Sequence, residues 1–302
     1  MARDELQFVE WLRGRQESHP AVPIGIGDDM AMLQLASNQL LVSSDMLLDG
    51  VHFDLRRHTP AQAGRKAIAC GLSDCAAMAV RPIAVTVSVA FPEAFSRADA
   101  ESLYEGIFAL ASQFDVAVVG GDTTRWRHPL AIDVNVVAEP YEGIKPVKRS
   151  GARAGDRLYV TGPLGGSVTS HHLSFTPRVV ESRRLASELG ERLDAMIDIT
   201  DGLSLDLWRM CEASGVGATL DEALLQKIIR DEARRLSTTD GRSALDHALS
   251  DGEDFELLLA VHGEGDIGSV PLHPVGVVTA SGFNIERAGG ACEPLEPKGY
   301  VH

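Results

Sequence analysis

The chain contains few aromatic residues and few cysteines. Phe, Trp and Tyr make up 5% of a sequence that is 44% hydrophobic, so its cores must be built mainly from aliphatic side chains. The four cysteines form no Cys-x-x-Cys pair, and their spacing matches no zinc motif. Cys70 and Cys211 fall in apolar-periodic segments, and we interpret both as buried thiols.

Basic residues are also scarce. The sequence has 28 Lys and Arg against 43 Asp and Glu, a net charge of −15. It lacks the clustered basic residues that a nucleic-acid-binding surface needs, so we expect no nucleic-acid partner. It also lacks an apolar run of about 18 residues and a signal-like N-terminal segment. We therefore expect a cytoplasmic protein with no membrane association.

The common nucleotide-binding motifs are absent as well. There is no Gly-x-x-x-x-Gly-Lys-Ser/Thr loop, and Gly25-x-Gly27 lacks the third glycine of a dinucleotide fingerprint. Protein-kinase signatures are missing. An acidic protein that binds phosphates without these motifs needs divalent cations between its carboxylates and the ligand.

Apolar and β-branched runs alternate with helical patterns, which predicts a mixed α/β (α+β) fold. We predict a strand over Gln39–Ser44 that runs into Asp45, a helix over Ala61–Val80 and a strand over Ile83–Phe91. Helix Gly202–Ser214 is expected to bury one apolar stripe.

The length of 302 residues favours two domains. The segment Lys145–Asp156 is basic, Gly-rich and poor in apolar residues, which is typical of a junction. We therefore predict one domain over 1–144 and a second over 145–302.

Short acidic segments with neighbouring Gly, Ser or Thr recur along both halves. Their positions are 27–29, 43–45, 73–74, 121–124 and 198–202, with 252–254 as a sixth. Carboxylates and hydroxyls are the ligands that Mg²⁺ prefers. The same residues are common in turns and helix caps, and Asp74 or Asp201 alone is more often a cap. The adjacent Asp28 and Asp29 repel each other unless a cation or solvent relieves them.

Read together, these segments resemble the thiamine-monophosphate kinase family, in the superfamily that includes aminoimidazole ribonucleotide synthetase and selenophosphate synthetase. The similar stretches occur in family order: GIGDDMAML (25–33), SSDMLLDGVHF (43–53), KAIACGLSDCAAMAVRP (66–82), VVGGDTTR (118–125), KRSGARAGDRLYVTG (148–162), DITDGLSLDL (198–207) and SDGEDFELLLAV (250–261). The resemblance implies a two-domain aminoimidazole-ribonucleotide-synthetase-like fold and a homodimer that pairs through N-terminal sheets. It implies transfer of the ATP γ-phosphoryl group to thiamine phosphate with several Mg²⁺ ions and no catalytic residue beyond metal-assisted positioning.

The resemblance also assigns roles to residues. The implied metal ligands are Asp29, Ser43, Ser44, Asp45, Asp74, Asp122, Asp198 and Asp201, with Asp28 a lesser candidate. The implied ATP contacts are Gly121, Asp122, Arg149 and Thr200, and the implied thiamine contacts are His52 and Glu253. Each has a plainer alternative: His52 as a structural histidine, Arg149 as a solvated charge, and Glu253 as the partner of a nearby cation.

Three departures from the family pattern concern the acceptor. The region from Thr161 to Arg178 is short, and Phe175 stands where the family has a proline. Pro297 replaces a tryptophan expected near the thiamine, and Asp251 replaces a glycine. Two alternatives therefore stay open: an ATP-dependent enzyme of the same superfamily with another acceptor, and a non-catalytic metal- or nucleotide-binding homologue.

Overall fold

The computed structural model describes residues 2–27, 30–263, 265 and 267–300. The chain forms two compact units, one made of Met1–Cys75 with Arg81–Pro140 and the other of Ala76–Val80 with Tyr141–His302. We call them unit 1 and unit 2. The main change of unit falls after Pro140, whereas the sequence predicts a junction after residue 144. None of the described helices combines the length and the hydropathy that crossing a membrane requires.

Unit 1 is a sheet covered by helices. Its elements are α1 (Ala2–Arg15), β1 (Leu41–Leu48), α2 (Pro60–Ala77), β2 (Val80–Pro92), α3 (Arg97–Gln113), β3 (Ala117–Gly120), β4 (Thr123–Trp126) and β5 (Ala131–Pro140). The strand order is β1-β5-β2-β3, and β4 also pairs with β2. Strands β1 and β5 are antiparallel, whereas β2 is parallel to both β3 and β4.

Two glycines allow α2 and α3 to pack closely. A Cβ at Gly64 would lie 2.1 Å from the Leu103 carbonyl oxygen, and one at Gly106 would lie 2.0 Å from that of Ala61. Helix α3 begins with a capping box in which Ser96 Oγ accepts the Asp99 N–H and Asp99 accepts the Ser96 N–H. These contacts fix the helices that face the sheet.

Unit 2 is built on a seven-stranded sheet. Its elements are β6 (Arg157–Val160), α4 (Val179–Leu189), β7 (Leu193–Asp198), α5 (Leu203–Ser214), β8 (Gly217–Asp221), α6 (Glu222–Leu225), α7 (Asp231–Leu236), α8 (Ala244–Ser250), β9 (Leu257–Val261), β10 (His273–Thr279), β11 (Phe283–Glu286) and β12 (Cys292–Pro294), with 3₁₀ turns at Ser167–Thr169, His171–Leu173 and Gly190–Arg192. The strand order is β12-β11-β8-β10-β6-β9-β7.

The core of unit 2 lies between this sheet and its helices. The predicted stripe of α5 (Leu203, Leu207 and Met210) is fully buried in that core. Mixed strands and helices in both units confirm the predicted α+β class. Of the two predicted buried thiols, Cys211 is buried and Cys70 is half-buried.

Candidate active site

Asp45 lies in the middle of β1, not beyond its end. The strand continues to Leu48, four residues past the predicted end at Ser44, because Met46, Leu47 and Leu48 extend its pairing with β5. Side chains alternate between the two faces of a strand, so Ser43 and Asp45 share one face. Helix α2 passes over that face, and a Cβ built on Gly71 would lie 3.7 Å from Asp45 Oδ2.

The other predicted serine faces away from Asp45. The Ser44 hydroxyl donates to Asp133 Oδ1 at 2.9 Å, and Asp133 also accepts from the Asn135 amide. Because Ser44 is adjacent to Asp45 on a regular strand, its side chain lies on the opposite face. The structure therefore does not bring the Ser44 hydroxyl to the predicted metal site.

Asp74 lies within α2, inside the helix that the sequence predicts over Ala61–Val80. It follows Gly71 by three residues, so it lies on the helix face that passes over Asp45. Burial raises the pKa of the neighbouring Cys75 thiol, and the charges of Asp74 and Asp45 raise it further. Both carboxylates therefore lie near Cys75, on the side of α2 that passes over Asp45.

The segment after β3 carries Gly121 and Asp122. Gly121 has a φ of 148°, and a Cβ there would lie 1.9 Å from the Val87 carbonyl oxygen, so no other residue fits this backbone. Asp122 is exposed; its Oδ1 accepts the Thr123 N–H at 2.8 Å, and its carbonyl accepts the Val89 N–H. Asp122 thus presents its carboxylate beside a backbone held against β2.

His52 closes the turn that follows β1. Its Nδ1 accepts the Leu48 N–H at 3.0 Å, and its carbonyl accepts from the fully buried ammonium group of Lys66. A neutral ring whose Nδ1 accepts carries its proton on Nε2. The plainer structural role is therefore real, and it fixes the ring with Nε2–H as a donor. Asp28 and Asp29, the remaining predictions in this half, lie outside the described residues.

In unit 2, Asp198 ends β7 and Asp201 follows in the turn before α5. Both residues are buried, and Asp201 pairs with Arg209 at 2.6 Å. Arg149 is exposed, and the carbonyl of its neighbour Lys148 accepts the Met196 N–H of β7. Arg149 therefore lies beside the strand that leads to Asp198.

Asp206 organises this turn, and sequence reasoning assigned it no role. Its Oδ2 accepts three backbone N–H groups, those of Thr200 at 3.0 Å, Asp201 at 3.0 Å and Gly202 at 3.2 Å. Burial, together with the charge of Asp198, raises the pKa of Asp206 to about 7. The available signal was an acidic residue in the first turn of a helix, where backbone donors lack partners.

Two further segments lie on the same turn. The Glu253 N–H donates to the Thr200 carbonyl at 2.6 Å, and the Tyr300 N–H donates to the Asp201 carbonyl at 2.9 Å. Glu253 has a φ of 58°, an uncommon left-handed conformation for a residue other than glycine. The structure thus brings the predicted residues Thr200, Asp201 and Glu253 together in unit 2.

The short region between Thr161 and Arg178 packs directly on the Glu253 segment. His172 Nδ1 lies 3.0 Å from Glu253 Oε2, so an imidazole is the neighbour of the Glu253 carboxylate. Phe175 stacks on Phe255 with ring centroids 3.9 Å apart and an interplanar angle of 5°. The Nε and Nη2 groups of Arg178 both donate to the buried Glu256 carboxylate. Phe175 therefore has a packing role here.

The donor sets of both units consist of oxygen atoms, which suits Mg²⁺. Within the described residues, no three of the predicted carboxylates bring ligand atoms within 4.8 Å of one another. Mg²⁺ is usually held by one or two carboxylates together with phosphate oxygens. Asp45 with Asp74, and Asp198 with Asp201, fit that mode of binding.

Comparison with known proteins identifies relatives over the whole length. The family of the AIR synthase related protein, N-terminal domain, matches residues 27–139. The chain is 38% identical to the thiamine-monophosphate kinase of Rhodopirellula baltica, covering 99% of this chain and 97% of the relative.

Solved structures agree with the sequence relatives. The crystal structure of thiamine-monophosphate kinase from Stenotrophomonas maltophilia is 32% identical with a TM-score of 0.78, covering 93% of this chain and 96% of that one. A structure of AaThiL complexed with AMPPCP and TMP is 28% identical with a TM-score of 0.76, covering 92% and 91%.

Proposed function

Because this chain belongs to the thiamine-monophosphate kinase family, we propose that it transfers the γ-phosphoryl group of ATP directly and in line to thiamine phosphate, assisted by Mg²⁺. The observation that carries the proposal is the full-length similarity to these kinases together with the pairs Asp45–Asp74 and Asp198–Asp201. The presence of both pairs in this chain supports the phosphoryl-transfer step more strongly than it supports the choice of acceptor.

In unit 1 we assign metal binding to Ser43, Asp45, Asp74 and Asp122, with Asp29 as a further ligand outside the described residues. Bound there, Mg²⁺ would neutralise phosphate charge and reduce the repulsion between two oxyanions. Ser44 is proposed as a ligand only through its backbone carbonyl, since its hydroxyl bonds Asp133. In unit 2 the same role falls to Asp198 and Asp201.

ATP contacts are proposed in each unit. The absence of a side chain at Gly121 leaves the backbone next to Asp122 open to a phosphate. The exposed guanidinium of Arg149 offers paired donors for phosphate oxygens. Thr200 carries its hydroxyl on a turn whose backbone is held by Asp206, so the backbone of this contact is in place before the nucleotide arrives.

Thiamine phosphate needs recognition but no general base. Its phosphate is ionised at neutral pH, so the nucleophilic oxygen already lacks a proton. We assign substrate contacts to the His52 Nε2–H donor and to the Glu253 carboxylate. His172 beside Glu253 orients that carboxylate.

We propose a homodimer because one edge of the unit 1 sheet exposes apolar side chains. Strand β1 lies at one edge of the sheet. Its residues Val42 and Met46, and Leu40 directly before it, are more than half exposed. An edge strand with apolar side chains pairs readily with another strand unless it is covered. A second copy of the chain would cover this edge. We propose a cytoplasmic setting from composition, as above.

The direct test is to incubate the protein with ATP, Mg²⁺ and thiamine phosphate and to quantify thiamine diphosphate by chromatography. Formation of thiamine diphosphate in step with ADP is expected. ADP formation only with a different phosphorylated acceptor would favour the alternative enzyme of the same superfamily. Metal-dependent ATP binding without any turnover would favour the non-catalytic homologue.

A further inference from the structure

A second group of ligand-type side chains lies in unit 2, apart from the residues assigned above. Asp156, Asp194 and His262 each place one ligand atom so that all three atoms lie within 4.8 Å of one another. Asp156 directly precedes β6, His262 directly follows β9, and Asp194 belongs to β7. Since β9 lies between β6 and β7, the three residues meet at one end of adjacent strands.

Strand register explains this convergence. Arg157 and Leu193 both pair with Val261, so Asp156 lies opposite His262 across the β6–β9 pair. The β7–β9 register shifts between Leu193 and Ala195, which makes Asp194 the extra residue of a β-bulge. Bulges redirect a side chain that would otherwise follow the regular alternation.

The environment of the Asp194 carboxylate gives a second, independent indication of a cation site. Its side chain is 5% exposed, and within the described residues no donor reaches its Oδ2. Its Oδ1 has a 3.5 Å contact with the largely exposed Arg153, and its carboxyl group also lies within hydrogen-bonding distance of Asp156. Burial raises the pKa of Asp194, and the nearby charge of Asp156 raises it further. A buried carboxylate oxygen without a donor, next to a second carboxylate, requires a proton or a cation.

The other two groups are held in position for binding. Asp156 is fully buried, and its Oδ2 accepts the Arg153 N–H at 2.7 Å, leaving Oδ1 3.2 Å from His262 Nδ1. The backbone of His262 is bonded on both sides to Arg192. The imidazole is 57% exposed, so a cation has access from solvent.

We propose that Asp156, Asp194 and His262 form a binding site for Zn²⁺ or a similar first-row divalent cation. Imidazole nitrogen together with carboxylates suits Zn²⁺, whereas Mg²⁺ prefers oxygen ligands alone. Zinc ligands about 2.0–2.2 Å from the ion are roughly 3.3–3.6 Å apart. The present spacing reaches that arrangement with movements of about 1 Å, and a water molecule completes a tetrahedral site. The cation would tie together the ends of β6, β9 and β7.

The test measures Zn²⁺ binding to the full chain in excess Mg²⁺, after chelator treatment, by calorimetry. The excess Mg²⁺ occupies the oxygen-only sites of the proposed kinase function, so the result does not depend on that function. One Zn²⁺ per chain is expected, with affinity at least about tenfold lower in His262→Gln and in Asp194→Asn. His128→Gln, which removes an exposed histidine of unit 1, is the matched control and should bind as the wild type does.

Thermal unfolding supplies a second measurement. Zn²⁺ should raise the melting temperature of the wild type and of His128→Gln but not of His262→Gln. Without metal, Asp194→Asn should unfold at the wild-type temperature or above it, because it removes repulsion with Asp156. Absence of Zn²⁺ binding in excess Mg²⁺, or equal affinity in the wild type and His262→Gln, would overturn the proposal.

Discussion

Asp206 accepts the backbone N–H of Asp201 at 3.0 Å from within the first turn of the helix that follows it. The same carboxylate oxygen also holds the N–H groups of Thr200 and Gly202. The backbone of the turn that leads into α5 is thus held by a side chain of that helix. Asp206 acts on the proposed reaction by positioning the turn that carries Asp201.

Replacing Asp206 with alanine should therefore lower kcat and raise the Mg²⁺ concentration needed for half-maximal activity. It leaves three backbone donors without their acceptor, which costs about 1–3 kcal/mol of stability. Asp206→Asn keeps an acceptor oxygen and should recover part of both losses. Activity across a Mg²⁺ titration and chemical unfolding measure the two effects.

The matched control is Asp231→Ala, which removes an exposed carboxylate from the first turn of α7. It should leave activity and Mg²⁺ dependence unchanged. If Asp206→Ala kept the wild-type Mg²⁺ dependence, the positioning role would be wrong and Asp206 would serve stability alone.

A second prediction concerns the two faces of β1. Ser43 shares a face with Asp45, whereas the Ser44 hydroxyl bonds Asp133 on the other face. Ser43→Ala should raise the Mg²⁺ concentration needed for half-maximal turnover, and Ser44→Ala should leave that concentration near the wild-type value. Kinetics at several Mg²⁺ concentrations compare two substitutions of the same chemistry at adjacent positions.

Asp45→Asn should abolish turnover, by at least about 100-fold, without unfolding the protein, since a metal ligand loses its charge. Asp133→Asn, on the opposite face of the same strand pair, is its control. Equal losses in Ser43→Ala and Ser44→Ala would contradict the assignment of faces, and wild-type activity in Asp45→Asn would remove Asp45 from the site.

These residues also indicate how far the sequence could lead. The stripe of Leu203, Leu207 and Met210 predicted helix α5 because apolar spacing reports which helix face is buried. The same reasoning predicted that the strand ends at Ser44, because a polar Ser-Ser-Asp run is typical of a turn. Only the cross-strand pairing with β5 shows that the strand continues.

Other features depend on partners that are distant in sequence. The stack of Phe175 on Phe255 joins residues 80 positions apart, so no local pattern could predict that the unusual Phe175 is accommodated. The bulge at Asp194 likewise arises from its register with β9. The strands β11 and β12 are four and three residues long, too short to show a clear period.

A third prediction uses two titrating groups of opposite effect in unit 2. Asp254 is buried with Ser167, Arg230, Glu256 and His171 around it, and burial raises its pKa to about 7. Between about pH 4 and pH 7 the folded state keeps a proton that the unfolded state has lost, so this group lowers stability as pH rises. Burial lowers the pKa of His171 to about 4. Between about pH 4 and pH 6.5 the unfolded state keeps a proton that the folded state has lost, so this group increases stability as pH rises.

Asp254→Asn removes the contribution by which Asp254 lowers the free energy of unfolding as pH rises. Its stability relative to the wild type should increase from pH 5 to pH 7, by up to about 1.4 kcal/mol per pH unit. His171→Gln should change the slope in the opposite direction. Urea unfolding at a series of pH values measures both, with Asp231→Asn as an exposed control. A difference between Asp254→Asn and the wild type that stayed constant with pH would show that Asp254 does not hold its proton in the folded protein.

The last prediction concerns the acceptor. Pro297 occupies the position where the family resemblance implies a tryptophan, and the nearest aromatic residue that follows it is Tyr300. The segment is held to α5, because Ser204 Oγ donates to the Lys298 carbonyl at 2.6 Å and accepts the Lys298 N–H at 3.1 Å. The Tyr300 N–H reaches the Asp201 carbonyl, and the residue is 40% exposed. The backbone of an aromatic residue is thus fixed beside a proposed metal ligand.

If Tyr300 contributes the aromatic contact with thiamine, Tyr300→Ala should raise the KM for thiamine phosphate by about fivefold, which corresponds to about 1 kcal/mol. The KM for ATP and the melting temperature should stay unchanged, since the backbone bonds of the segment remain. Tyr300→Phe keeps the ring and should behave as the wild type, and Pro297→Trp should lower the KM for thiamine phosphate. An equal rise in both KM values for Tyr300→Ala would instead indicate that the ring supports the turn around Asp201, and the thiamine contact would then have to come from another part of the chain.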